Sequence, residues 1–204
     1  MVQTQALPEA ETLLLEIPKT IKLYVTQEQF AALAARNREL QLERTAQGEL
    51  IVNPPTGWQT GERNSSISGE LYIWWRNAGE PGKTFDSSTA FILPNGATRA
   101  PDASCVSQQR WDALTPEEKG TFANICPDFV VELRSASDTL KSLQEKMREY
   151  MDNGAKLGWL IDPKNRKVEI YRLGLVMEVL SNPAELSGEE ILPGFVLELR
   201  RVWG

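Results

Sequence analysis

The stretch Pro127-Asp-Phe-Val-Val-Glu-Leu-Arg-Ser135 decides how this chain is read. Phe129 to Leu133 is an apolar run of strand length, interrupted only by Glu132. A helix is predicted from about Ser137, stopped by Gly154, and Leu157 to Ile161 is a second buried strand closed by Asp162-Pro163. A lone carboxylate in a buried strand costs several kcal/mol or has its pKa pushed strongly up. Glu132 therefore calls for a cation or a basic partner. Side-chain alternation puts Asp128, Val130, Glu132 and Arg134 on one strand face, so Arg134 is one candidate partner.

Working outward, a second acid stands in a similar setting. Asp102 follows Pro101 in a predicted strand running from Thr98 through Val106. The proline suggests an edge or a bulge there, and a turn-forming role for Asp102 is an equal reading. Phe85 to Leu93 is the outgoing arm, joined to that strand by Pro94-Asn95-Gly96, a strong hairpin signal. Further toward the N-terminus, Thr26 is placed to cap a helix to about Asn37 with Phe30, Leu33 and Ala34 on one face. Leu40 to Val52 reads as a small hairpin around Gly48, and Glu62 to about Asn77 as a helix with Ile67, Leu71 and Trp74 at helical spacing. Beyond Ile161, Val168 to Leu173 and Val176 to Leu180 read as a meander, and Phe195 to Leu199 as a final strand. The pattern is one α/β domain over residues 20–204 with a mixed sheet, preceded by a flexible leader over residues 1–19.

In the helix after the central strand, Leu140, Leu143, Met147, Tyr150 and Met151 form one apolar stripe. Gln144 and Lys146 fall at opposite margins of it. A margin position lets Lys146 reach past the core toward a site built on Asp102 and Glu132.

Composition narrows the chemistry. The chain of 204 residues has no histidine, which removes Ser-His-Asp triads, Cys-His nucleophiles and every His-ligated metal site. Oxygen ligands favour Mg²⁺, with Mn²⁺ as a substitute, over zinc. Two cysteines, Cys105 and Cys126, sit in apolar contexts and read as buried free thiols. The net charge is −6, which does not advertise a nucleic-acid binder, yet the charge is uneven. Residues 134–172 carry nine Lys/Arg and six Asp/Glu, a net +3 that leaves −9 for the rest. No apolar run is long enough to span a bilayer and no signal peptide is evident, so a cytoplasmic location is expected. The reaction that fits two carboxylates, a main-chain carbonyl and a lysine is metal-dependent phosphodiester hydrolysis. The pair Trp74-Trp75 reads mainly as core packing, with base stacking as the alternative.

An ordered set of short motifs adds a resemblance. It runs Thr26-Gln-Glu-Gln-Phe30, Gly48-Glu-Leu50, Pro101-Asp-Ala-Ser104, Pro127 through Ser135, Ser137-Asp138, Lys146-Met-Arg-Glu-Tyr150, Gly154 and Leu160-Ile-Asp-Pro163. This resembles the bacterial Uma2 family of restriction endonucleases, within the PD-(D/E)XK nuclease superfamily, over roughly residues 20–200. The resemblance implies a central mixed β-sheet flanked by helices and a Mg²⁺-dependent endonuclease acting on DNA, with a homodimer expected. It maps the superfamily aspartate onto Asp102 and the glutamate onto Glu132. Together with the Leu133 carbonyl these form the expected metal ligands. Arg134 stands where the superfamily lysine usually is, and the lysine maps instead onto Lys146, with Gln144 as a helper. An additional helix acid is implied, for which Glu62 and Glu70 both stand as candidates, Glu62 being the closer to the loop Asn53-Pro-Pro-Thr-Gly57. The alternative is a catalytically inactive nuclease fold that binds DNA or a partner.

Overall fold

The computed structural model describes Pro18 and residues 21–120 and 122–204. Apart from Pro18, the expected leader lies outside the described residues.

Thr26 starts α1 (Gln27–Arg36) through a reciprocal cap: the Gln29 amide donates to its hydroxyl, and the Gln29 side chain accepts from its amide. Phe30 is the one residue this helix buries fully. The hairpin follows as β1 (Gln41–Arg44) and β2 (Leu50–Asn53), antiparallel with Arg44 opposite Leu50. Its turn uses Gly48 at φ +91°, where a Cβ would also come within 3.1 Å of the Val25 carbonyl. The long helix α2 spans Trp58–Asn77, starting four residues before its expected Glu62.

The predicted hairpin around Asn95-Gly96 exists, but both of its arms break. The outgoing arm is β3 (Gly82–Asp86) and β4 (Phe91–Ile92); the return arm is β5 (Thr98–Arg99) and β6 (Ala103–Ser107). The halves nearest the turn join the first hairpin in a four-stranded sheet ordered β2-β1-β5-β4. The far halves enter a six-stranded sheet. Pro101 lies at the crossing on the return arm, where its missing N–H ends the first ladder. Asp102 resumes pairing immediately, its amide donating to the Val131 carbonyl at 2.9 Å. The proline thus transfers the chain from one sheet to another and leaves Asp102 at the junction.

After β6 come two short helices, α3 (Gln108–Asp112) and α4 (Pro116–Lys119), the second capped by Thr115. Then follow β7 (Phe129–Leu133), α5 (Leu140–Asp152), β8 (Leu157–Asp162), β9 (Lys167–Arg172) and β10 (Glu178–Ser181). The chain closes with β11 (Glu185–Ser187), β12 (Val196–Glu198) and α6 (Arg200–Trp203). The six-stranded sheet is ordered β10-β9-β8-β7-β6-β3, and it is mixed because β7 and β8 alone run parallel. A parallel pair needs a crossover, and α5 is that crossover.

Both faces of the sheet are covered. Phe129, Val131 and Leu133 point to the side of α2, α6 and β12, where Trp159 stacks on Phe195 with ring centroids 5.8 Å apart. Val130 and Leu160 point to α5 and meet Leu143, Met147 and Tyr150. Each such large apolar side chain contributes roughly 1.5–3 kcal/mol on burial. The helix sits close because Gly158 has no side chain: a Cβ there would fall 2.5 Å from the Met147 methyl. That approach brings Lys146, one residue before Met147, down to the sheet.

Candidate active site

A cleft of about 920 Å³ opens between the two sheets and α5, and Glu43, Asp102, Glu132, Leu133 and Lys146 line it. Three routes of the chain deliver these residues. β6 begins after Pro101 and presents Asp102. β7 runs beside it and presents Glu132 on the α5 face. The helix then returns Lys146 over both.

The Lys146 ammonium lies 2.8 Å from Glu132 Oε1, 2.7 Å from Glu43 Oε1 and 3.2 Å from the Ala100 carbonyl. Glu43 is bound further by Arg99 at 3.2 Å and by the Ala100 amide at 3.1 Å. Arg99 reaches on to Glu149. The Tyr150 hydroxyl donates to Glu132 Oε1 at 3.0 Å. Asp102 is held at both oxygens: the Leu133 amide donates to Oδ2 at 2.7 Å and the Asn64 amide donates to Oδ1 at 2.8 Å.

The electrostatics separate these groups. Burial and the neighbouring charges of Asp102 and Glu43 push the Glu132 carboxyl up to about 8, against the pull of Lys146. Burial also raises the Asp102 carboxyl, in spite of its hydrogen bonds. For Glu43 the burial penalty is outweighed by Lys146 and Arg99, so its carboxyl is held below the usual range. Glu132 and Glu43 share one ammonium, yet they shift oppositely. Glu43 has a second cation in Arg99 and Glu132 does not, which decides which acid keeps its charge. Burial pulls the Lys146 ammonium down, but the two glutamates outweigh this and hold it well above the ordinary lysine range.

The other expected site residues lie elsewhere. Gln144 donates to Glu169 Oε1 at 2.7 Å, a buried acid whose other oxygen accepts from Tyr171. Two residues apart on a helix are about 200° apart around its axis, so Gln144 and Lys146 cannot serve one point. Glu62 is exposed and not among the residues lining the cleft. Glu70 pairs with Arg201 of α6 at 3.3 Å. The helix residue that does reach Asp102 is Asn64. Arg134 lies just past the end of β7, so strand alternation no longer fixes its side chain, and it pairs with Asp162 at 2.7 Å rather than with Glu132.

Sequence reasoning missed Glu43 and Asn64 and read Tyr150 only as part of an apolar stripe. Glu43 had no local signal, since an acid in a four-residue strand between Leu42 and Arg44 looks solvated. Tyr150 offered one, because a buried phenol needs a partner for its hydroxyl.

The residues present suit a hard cation. The donor set is all oxygen, and the Asn64 amide oxygen beside Asp102 is buried without a donor. Among the described residues no group of three or more His, Cys, Asp or Glu side chains stands close enough to hold a metal alone. Two carboxylates plus a main-chain oxygen and waters are what Mg²⁺ ordinarily accepts.

A mixed sheet flanked by helices, with acids at a cleft beside adjacent strands, makes this an α/β protein with its candidate site at the sheet's edge of that cleft. The chain belongs to the Uma2 family, described as "Putative restriction endonuclease", which matches residues 27–200. No curated protein matches it. A crystal structure of "a putative nuclease belonging to DUF820" from Anabaena variabilis ATCC 29413 has the same fold. It superposes with a TM-score of 0.67 at 20% identity, covering 79% of this chain and 89% of that one. No helix among the described residues is long and apolar enough to cross a membrane.

Proposed function

We propose that this protein is a Mg²⁺-dependent endonuclease that hydrolyses DNA phosphodiester bonds, with Mn²⁺ able to substitute. The observation that carries the reading is the pairing of Asp102 and Glu132 on adjacent strands, both with raised carboxyl pKa values, under a lysine from the crossover helix. Asp102, Glu132 and the Leu133 carbonyl are the proposed ligands. When bound there, the ion supplies Lewis-acid activation of the phosphate and a more acidic attacking water.

The chain's own residues do the rest. Asn64 and the Leu133 amide fix both oxygens of Asp102, so its carboxylate is preorganised. Tyr150 orients Glu132 from below. The raised pKa of Lys146 makes it a poor base, so its role is to neutralise charge that develops on the scissile phosphate. Glu43, itself fixed by Arg99, holds that ammonium in place.

The competing reading, a nuclease fold without catalysis, draws on Arg134, which occupies the usual lysine position and is committed to Asp162. Incubation of plasmid and of linear DNA with Mg²⁺ or Mn²⁺ separates the two. Cleavage by the native protein that disappears in Glu132→Gln supports the enzyme. Cleavage surviving that substitution, or none under any condition, refutes it.

A further inference from the structure

We propose that Trp58 is a stacking platform for an unpaired nucleobase, so that the substrate of this cleft is a nucleic-acid strand with exposed bases rather than a closed duplex. The inference rests on the nuclease reading and names its substrate class.

The first observation is exposure. Trp58 lines the cleft and is 95% exposed, more than any other large apolar side chain among the described residues. A tryptophan left in water forgoes the burial that every other tryptophan here obtains at least in part. Trp74 and Trp75, the stacking candidates by sequence, are not free in this sense: their ring N–H groups donate to the Pro193 and Gly82 carbonyls at 3.0 and 2.7 Å.

The second observation is how Trp58 is held. It is the first residue of α2, and Asn53-Pro-Pro-Thr-Gly57 leads into it. The helix fixes the backbone at Trp58, while the ring itself stays open to the cleft.

The third observation is charge. Seven carboxylates line the cleft against two cations, Arg99 and Lys146, and both cations are already in ion pairs. Nucleic acids, duplex or single strand, are gripped largely by neutralising phosphates with Lys and Arg. Lys146, the cation aimed at the scissile phosphate, is shared with Glu43 and Glu132, so a contact to a base has to add affinity here. Stacking supplies it without regard to sequence, worth about five- to 150-fold per base.

Trp58 and Asp102 line the same cleft, and Asn64, which touches Asp102, stands on the same helix as Trp58, about 9 Å further along its axis. A base on Trp58 and a phosphate at the carboxylates would therefore share one cleft.

The test measures binding in EDTA, where a cation-dependent enzyme cannot cut. A short labelled oligonucleotide is used as a single strand, as the same strand annealed into duplex, and as a single strand with abasic positions. The native protein is expected to bind the single strand more tightly than the duplex. Trp58→Ala should weaken single-strand binding about five- to 150-fold and leave duplex binding nearly unchanged, while Trp58→Phe keeps most of the affinity. The abasic strand should reproduce the loss in the native protein and add none in Trp58→Ala. Equal single-strand binding by native protein and Trp58→Ala overturns the inference, and so does an equal loss on duplex. If the native protein still cuts DNA with Mg²⁺ in those cases, the inference falls alone. If it neither binds nor cuts any nucleic acid, the nuclease reading falls with it.

Discussion

Lys146 Nζ sits 2.7 Å from Glu43 Oε1, joining the crossover helix to a strand 103 positions earlier in the chain. Neither side chain is more than 13% exposed. The contact ties the small sheet to the large one through the floor of the cleft, and it fixes the lysine over Glu132.

Breaking this contact is expected to cost both stability and activity. Lys146→Met leaves Glu43 and Glu132 buried with one cation fewer, and removal of one partner from a buried pair typically destabilises by roughly 3–5 kcal/mol. Urea denaturation in EDTA checks the size. The double variant Glu43→Gln with Lys146→Met should recover part of the loss, because it removes one of the stranded charges. A single variant as stable as the native protein would show that the contact contributes little.

Glu43→Gln alone should preserve the fold and weaken catalysis. Its carboxylate positions Lys146 without lying on the two strands that hold the ligands. Loss of such supporting partners commonly costs about ten- to 100-fold. Initial rates of plasmid nicking at saturating Mg²⁺ give the number, and an unchanged rate would remove Glu43 from the site.

Stability should fall with rising pH in the absence of a divalent ion. Glu132 titrates near 4.5 in an ordinary setting and at about 8 in the folded protein. Between those values the folded state holds a proton that the unfolded state has released. Stability therefore declines through this interval and levels off above it. Asp102 is shifted the same way. Asp128 and Asp162 are shifted downward, so their stabilisation is lost only as pH falls below the ordinary aspartate value of about 3.8, outside the window. Denaturation midpoints in EDTA at pH 5.5 and 8.5, in matched buffers, should differ in that direction. Glu132→Gln should flatten most of the difference; an undiminished slope in that variant would assign it to other groups.

Two residues that sequence reasoning placed in the site should behave as ordinary structure. Glu62→Ala, exposed on α2, should change stability by less than about 0.5 kcal/mol and leave cleavage as it was. Gln144→Leu leaves Glu169 with one donor fewer, and should destabilise by roughly 1–3 kcal/mol with catalysis intact at temperatures where the protein is folded. A collapse of cleavage in either variant at full folding would restore that residue to the site.

What the sequence revealed and concealed follows from the range over which each signal acts. Phe129–Leu133, α5 and Leu157–Asp162 were legible because buried strands and an amphipathic helix write their burial into local pattern. The acids Asp102 and Glu132 stood out for the same reason, as charges in apolar company. The split of each arm of the hairpin between two sheets was not legible. Pro101 announced a defect in the strand, but which sheet each half joins depends on β1 and β7, far away in sequence. Glu43 was hidden for the reverse reason: its own strand is short and polar, and only the folded chain brings Arg99 and Lys146 to it. Asn64 was hidden because nothing in its own helix marks the amide as a partner of Asp102, to which it donates only in the folded chain.

Asp102 and Glu132 are proposed to take one divalent cation together. Calorimetric titration of Mn²⁺ into the native protein, Asp102→Asn and Glu132→Gln at pH 7 tests it most directly. One binding event is expected in the native protein, accompanied by proton release that shows as a dependence of the heat on buffer ionisation, and no comparable binding in either variant. Binding of Mn²⁺ that is unchanged in Asp102→Asn and Glu132→Gln, or no binding by the native protein, would contradict it.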